Sequence, residues 1–499
     1  MKRSMKWYLN DFLLYLFQAY IFILLFSHRV LKLPFKFHNK MKLTYCFTLI
    51  FIFSIAIINT YGQPVAVSEN GRYLVDKEGN PFFYLGDTAW ELFHRLSKPE
   101  AVDYLENRKE KGFTVIQAVV LSQIGGLDVP NAEGHIPLKN NDPASPNEDY
   151  FKLVDYIVEQ ADAMGLVIGM LPTWGSYWSS LNPDAVIFNT ENAYSFGQFL
   201  GKRYKDASLI WILGGDHNIH TSEERAIIDA MAKGLQEGDE GAHLITFHPR
   251  GPGLSSDYFH KTEWLDFNMF QSSHAGHDHD NGLFAEHDYQ LKPAKPTLDG
   301  EPRYENIQTG FYFQGFNRQD RFDDYDVRQA AYWSILAGAC GHTYGHSSVW
   351  QMYDEGRAPI IAAVMPWHVA LDHPGAFQMA HVRTLFEARP FSKLVPNQGM
   401  IKNGPVTGGG KIRAAVAEDA SFAIVYSPRG ESFTLDKSIL DARYIKEIWF
   451  DPRYGISYHI HTGDTQSMQT YTPPTSGRGQ DWILIIENAE SNYPMPGYH

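Results

Sequence analysis

Leu209-Ile-Trp-Ile-Leu-Gly-Gly-Asp216-His217-Asn218 is a short apolar run that stops at two glycines and a carboxylate. A run of this length and composition reads as a strand buried on both faces. Stretches of helical spacing flank it, residues 193–204 before and 226–235 after. Working outward, the same alternation continues from Pro81 to about Arg389. Strands are expected at 82–86, 114–121, 166–172, 209–213, 244–247, 267–270, 296–298 and 341–344, with further helices at 99–111, 150–164 and 326–339. Eight strand–helix units over about 310 residues predict an α/β fold of the (β/α)8 barrel type. An open doubly wound sheet is the runner-up, but no Gly-x-Gly-x-x-Gly follows the first strand.

Past Pro390 the texture changes to short alternating runs between Gly and Pro, at 412–417, 422–426, 445–450 and 482–486. These predict a small antiparallel β domain. The expected organisation is a targeting segment over 1–62, a catalytic-sized barrel over 63–390 and the β domain over 391–499. Gly408-Gly409-Gly410 is the one low-complexity feature.

Two apolar runs, 12–26 and 46–58, open the chain with basic residues between them. The first is short of the about 20 residues that span a bilayer. The second, preceded by Met41-Lys-Leu-Thr-Tyr and followed by Asn-Thr-Tyr-Gly-Gln, fits a secretory signal cut before Gln63, with Met41 a candidate start. Export without a stable membrane span in the mature protein is therefore expected. Cys340 would then be the sole cysteine, so no internal disulfide is expected.

The net charge is -14, and the first 62 residues hold eight Lys or Arg against one acid, so the rest is more acidic still. Such a surface argues against a nucleic-acid partner. An acidic polymer would need a locally basic mouth, for which Arg250, Lys292 and Arg303 are candidates. The aromatic content, 14%, excludes a disordered or coiled-coil chain.

In a (β/α)8 barrel, polar residues just past the strand ends form the mouth where chemistry takes place. Here those positions carry Asp87 and Trp90 after strand one, Trp174 after strand three, Asp216, His217 and Asn218 after strand four, Asp299, Glu301 and Arg303 after strand seven, and Trp350 after strand eight. Two carboxyls facing one another across a mouth suit glycosidic cleavage, one protonating the leaving oxygen and one acting as nucleophile or base. Asp216 and Glu301 are the candidate pair, on strands four and seven. Asp87 suits helix capping as well as binding. Asp299 is expected deeper than Glu301, with Arg303 keeping a carboxylate ionised, and the tryptophans are candidate sugar-stacking rings. His274-Ala-Gly-His277-Asp278-His279-Asp280, and His342 with His346, raise a metal-dependent hydrolase as a rival, although no His-Glu-x-x-His accompanies them. No P-loop and no Gly-x-Ser-x-Gly is present, so no cofactor is expected. A glycan-binding barrel without catalysis is the other rival.

Tyr84-Leu-Gly-Asp-Thr-Ala-Trp90, Lys111-Gly-Phe-Thr-Val-Ile-Gln117, Ile210-Trp-Ile-Leu-Gly-Gly-Asp216, Phe267-Asn-Met-Phe-Gln271-Ser-Ser-His274 and Asp299-Gly-Glu301 together resemble the apiosidase-like catalytic domain of glycoside hydrolase family 140. The segment after Pro390 is similar to the collagen-binding domain that commonly follows it. The resemblance implies a retaining (β/α)8 glycosidase acting on apiose-bearing side chains of the pectin rhamnogalacturonan II. It carries the acid/base role to Asp216 and the nucleophile role to Glu301; Gln117, Gln271 and His274, which lie in the quoted motifs, are candidate substrate contacts.

Overall fold

A computed structural model describes residues 65–497; the expected targeting segment lies outside the described residues. No described helix is long and apolar enough to cross a membrane. Eight parallel strands form the barrel: β1 (Tyr84–Thr88), β2 (Val115–Leu121), β3 (Val167–Thr173), β4 (Leu209–Gly214), β5 (Ile245–His248), β6 (Asn268–Gln271), β7 (Thr297–Asp299) and β8 (Gly341–Tyr344). Their hydrogen-bonded order is β5-β4-β3-β2-β1-β8-β7-β6, and Gly253–Leu254 adds an antiparallel rung to β6. The seam between β5 and β6 is drawn together by Asp266, whose N–H donates to the Ile245 carbonyl at 2.9 Å, and by Thr246, whose hydroxyl donates to the Phe267 carbonyl at 2.7 Å. Every residue of these strands is buried, as parallel strands covered on both faces should be.

The first expected strand starts two residues late. Pro81–Phe82 belongs instead to a small antiparallel sheet with Leu74–Val75 and Ala66–Val67.

The longer helices are α1 (Lys98–Glu110), α2 (Glu148–Met164), α3 (Thr190–Tyr204), α4 (Ser222–Asp239), α5 (Gly282–Gln290), α6 (Asp324–Leu336) and α7 (Pro374–Glu387). Their ends follow local rules. Asn147 caps α2 through its side chain, Gly165 ends it at φ 72°, and Thr221 with Glu224 forms a capping box on α4. The helices flanking β4 pack unusually close: a Cβ on Gly201 or Gly238 would press into the backbone of the facing helix.

The C-terminal strands are β9 (Leu394–Pro396), β10 (Ile401–Asn403), β11 (Arg413–Ala417), β12 (Phe422–Ser427), β13 (Phe433–Asp436), β14 (Tyr444–Asp451), β15 (Ile456–Asp464), β16 (Met468–Tyr471) and β17 (Trp482–Asn488). They make a six-stranded sheet, β9-β11-β12-β17-β14-β15, and a three-stranded one, β10-β13-β16. One face of the larger sheet packs on the smaller through Val425, Leu484 and Phe433. Its other face joins the barrel in a single core, Ile424, Tyr426 and Ile485 meeting Phe83, Tyr332 and Phe386. Two ion pairs are sealed at this junction, Arg328–Asp481 at 2.7 Å and Arg389–Glu487 at 2.6 Å.

Candidate active site

The chain leaving β4 passes between the ends of β3 and β5, and only glycine fits there. A Cβ on Gly214 would strike the His248 carbonyl, and one on Gly215 would sit 2.9 Å from the backbone of Thr173, Trp174 and Gly175. Gly214, Gly215 and Asp216 take φ of 95°, 83° and 59°. For Asp216 that left-handed backbone costs about 1–3 kcal/mol, the kind of strain that is retained where a side chain must be aimed.

Glu301 is aimed from the opposite side. Gly300 donates its N–H to the Phe270 carbonyl at 2.8 Å and accepts at its own carbonyl from Gln117 Nε2 at 2.9 Å. Just before it, the Asp299 carboxylate accepts from the Ser272 hydroxyl at 2.8 Å and from Asn281 Nδ2 at 2.9 Å. Asp299 is thus a buried clamp below Glu301, and burial pushes it up to about 6.

Both carboxyls line one cleft of about 380 Å³, together with Trp90, Trp174, Gln271, His274 and Trp350. Trp90 meets Trp174 and His248 edge-on at 5.7 and 5.5 Å between centroids. The indole N–H groups of Trp174 and Trp350 are buried at this cleft with no partner among the described residues. Unpaired donors on aromatic walls suit a ligand rich in hydroxyls.

His248 ties the two carboxyls together. Its Nδ1 accepts the Asp216 N–H at 3.3 Å, so in the neutral ring Nε2 carries the proton, and Nε2 lies 3.3 Å from Glu301 Oε2. His274 Nε2 stands 3.2 Å from Glu301 Oε1. Burial alone would raise the Glu301 carboxyl, but hydrogen bonding to His248 and His274 outweighs it and holds the group below the usual carboxylate range. Asp216 moves the opposite way, raised to about 7 by burial and then by the nearby Glu301 charge, against the opposing pull of His248 and Arg250. Two carboxyls driven apart in this way divide into a proton donor and an ionised partner at neutral pH.

Five expected ligand contacts stand elsewhere. Asp87 points from β1 into the helical layer, where it accepts from Arg108 at 2.7 Å and Tyr104 at 2.5 Å, both on α1. Gln117 crosses the barrel to hold Gly300, its oxygen accepting from Tyr84 at 3.1 Å. His217 turns towards Asn182 and the Gly215 carbonyl. Asn218 brackets the backbone of Arg250, accepting its N–H at 3.0 Å. Arg303 is buried beside Trp333, donating to the His277 carbonyl and to Gln329. None of these five side chains lines the cleft, which corrects their expected placement there. Of the three cations expected to meet an acidic polymer, Arg250 lines the cleft with an exposed side chain, whereas Arg303 is buried and Lys292 lies outside it.

Tyr304 and the Phe311-Tyr312-Phe313 loop line the cleft and His248 is buried against Glu301, three contributions the sequence does not single out. His248 had a signal, since it ends the Ile-Thr-Phe-His run just as Asp216 follows its own strand. The aromatic loop had none, because it sits in a long connection between β7 and α6. Among the described residues no group of three or more His, Cys, Asp or Glu is placed to hold a metal. His277 is held by Asp326 and Asp320, both at 3.0 Å, and Asp280 by Lys411 and Arg413, both at 2.7 Å. His342 contacts Ser334 and His346 contacts His373, each at 3.1 Å.

Residues 68–393 match the family model of the apiosidase-like catalytic domain. The chain belongs to that family. Residues 395–487 of this apiosidase-like protein match a second model, described as "Putative collagen-binding domain of a collagenase". A solved structure described as a glycoside hydrolase is 33% identical, with a TM-score of 0.79 over 86% of this chain and 98% of its own. A glycoside hydrolase family 5 structure from Bacteroides vulgatus is 31% identical, with a TM-score of 0.79 over 86% of this chain and 95% of its own. No curated protein matches. The chain is a glycoside hydrolase, and its substrate is a carbohydrate.

Proposed function

We propose that this enzyme is a retaining apiosidase that acts on apiose-containing side chains of rhamnogalacturonan II, with Asp216 as acid/base and Glu301 as nucleophile. The observation that carries the assignment is the opposed displacement of the two carboxyls on one cleft, Asp216 up and Glu301 down. Glu301 attacks the anomeric carbon while Asp216 protonates the departing glycosidic oxygen, giving a glycosyl ester on Glu301. Asp216, now a carboxylate, takes a proton from the water that hydrolyses the ester and is returned to its acid form. His248 and His274 keep Glu301 ionised between turnovers. Arg250 at the rim supports an anionic polymer as the substrate despite the negative net charge.

The test is product analysis on rhamnogalacturonan II and on other pectins, run beside Glu301→Gln, with the anomeric configuration of the first-formed sugar read by proton NMR. Release of an apiose-linked fragment with retained configuration, absent in the variant, is the expected result. Inverted configuration would remove the nucleophile role, and release of a different sugar would remove apiose. We also propose export through the segment 41–62; N-terminal sequencing of protein recovered outside the cytoplasm should begin at Gln63.

A further inference from the structure

The histidine-rich stretch 274–280 and Gly408-Gly409-Gly410 lie far apart in the sequence. They meet at the junction between the barrel and the β domain. The loop leaving β6 is fastened to the cleft at its start, where the Ser273 N–H donates to the Glu301 carbonyl at 3.2 Å and His274 reaches the Glu301 carboxylate. Its far end is fastened to the β domain. Asp280 accepts from Lys411 and Arg413, each at 2.7 Å, and Asp278 accepts from Arg429 at 2.9 Å.

The middle of the loop is held by a chain of contacts that also starts in the β domain. Gln329 of α6 donates to the Gly409 carbonyl at 3.0 Å and accepts from Arg303 at 3.2 Å, and Arg303 donates in turn to the His277 carbonyl. Arg478 reaches Asp326 at 2.8 Å, and Asp326 grips His277 at 3.0 Å. The glycines are required by proximity. A Cβ on Gly409 would collide with the Asp278 carboxylate, and one on Gly282, just past the loop, would collide with the Arg413 guanidinium.

We propose that the β domain is a working part of the active site, in which the turn 408–413 and Arg429 clamp 277–280 and thereby set His274 against Glu301. The inference rests on the reading of Glu301 as nucleophile. Lys411, Arg413 and Asp280 are positioning residues, since they act on Glu301 only through His274. Glu301 is faced by His248 from β5, His274 from this loop, Asp216 from the end of β4 and Tyr304 beyond β7, and the clamp governs only the second of these.

The experiment uses the full chain with Asp280→Asn, Gly409→Ala and the milder Arg429→Gln, beside Asp280→Glu as a conservative rescue. Hydrogen exchange of the peptide covering 272–276 should speed up about fivefold in the clamp variants while α2 stays protected. A rise confined to 277–281 overturns the proposal. In the activity arm, kcat should fall about tenfold with little change in KM, as expected when a positioned group drifts. The acid limb of the pH profile should move up by about one unit, in the same direction as in His274→Gln, because Glu301 loses one of the contacts that hold it ionised. A lower melting temperature with an unmoved acid limb also overturns it. If Glu301→Gln proves as active as the parent, the nucleophile reading fails, and the exchange arm still decides the clamp.

Discussion

At the cleft, His248 and His274 converge on one carboxylate, Glu301, while a second carboxyl, Asp216, is left short of counter-charge. At the domain junction the proportions reverse: one histidine, His277, lies between two carboxylates, and Asp280 lies between two cations. Both clusters combine histidine and acid, yet one is unbalanced and bordered by unpaired indole donors, and the other is closed on itself. An unbalanced cluster has protons to exchange with a ligand; a closed one has only geometry to give. Composition does not separate the two, and the count of partners does.

The comparison breaks most visibly at Glu301. Glu301→Gln should lower turnover by at least about 10⁴-fold while glycan binding survives, as when a nucleophile that works within a unit is removed; measurable hydrolysis near the parental rate would sink the assignment. Asp216→Asn should cost about 10²- to 10⁴-fold on natural leaving groups. In the parent, kcat/KM should fall as pH rises through about 7, because the acid form of Asp216 is lost there, and this limb should vanish in Asp216→Asn on a substrate with an activated leaving group. A parental profile flat to pH 9 would contradict the raised Asp216.

The closed side is sharpened by changes read in stability. Asp481→Ala leaves the buried Arg328 with Asp324 as its remaining carboxylate and should lower stability by about 3 kcal/mol in chemical denaturation, without moving the acid limb of activity. A smaller effect is expected at His277, which is pushed up to about 9 by its hydrogen bond to Asp326 and by the charges of Asp326 and Asp320. Because its folded value lies above the ordinary one near 6.5, this group adds stability below about 6.5 that is lost as pH rises through about 9. Melting temperatures across that window should therefore fall less steeply in His277→Gln than in the parent. Addition of a chelator should change neither activity nor melting, since His277, Asp278 and Asp280 are already engaged by protein partners at the junction and no three candidate ligands converge among the described residues.

The eight barrel strands were legible because they are short local runs separated by stretches of helical spacing, and their ends fall within two residues of expectation. The pair Asp216 and Glu301 was legible for the same reason, as strand-end carboxyls on a fold whose mouth gathers such ends. Asp87 and Arg303 satisfied the same rule and do not reach the cleft. One residue of offset along a strand turns a side chain from the lumen to the helical layer, and nothing within the run Tyr84-Leu-Gly-Asp87-Thr records that α1 holds Arg108 and Tyr104 in wait. The loop at 311–313 is not legible in the sequence because its part in the cleft comes from neighbours far away along the chain.

By itself, then, the sequence determined the order and type of the elements, the glycine turn that carries Asp216, and the family, since periodicity, turn chemistry and motif spacing are all local properties. Only the tertiary structure decided which strand-end side chains face the cleft, which carboxyl keeps its proton, and that Gly408-Gly409-Gly410 lies against the Asp278 carboxylate. Those outcomes depend on burial and on charges brought within a few ångströms from distant segments, and such distances exist only once the chain has closed on itself.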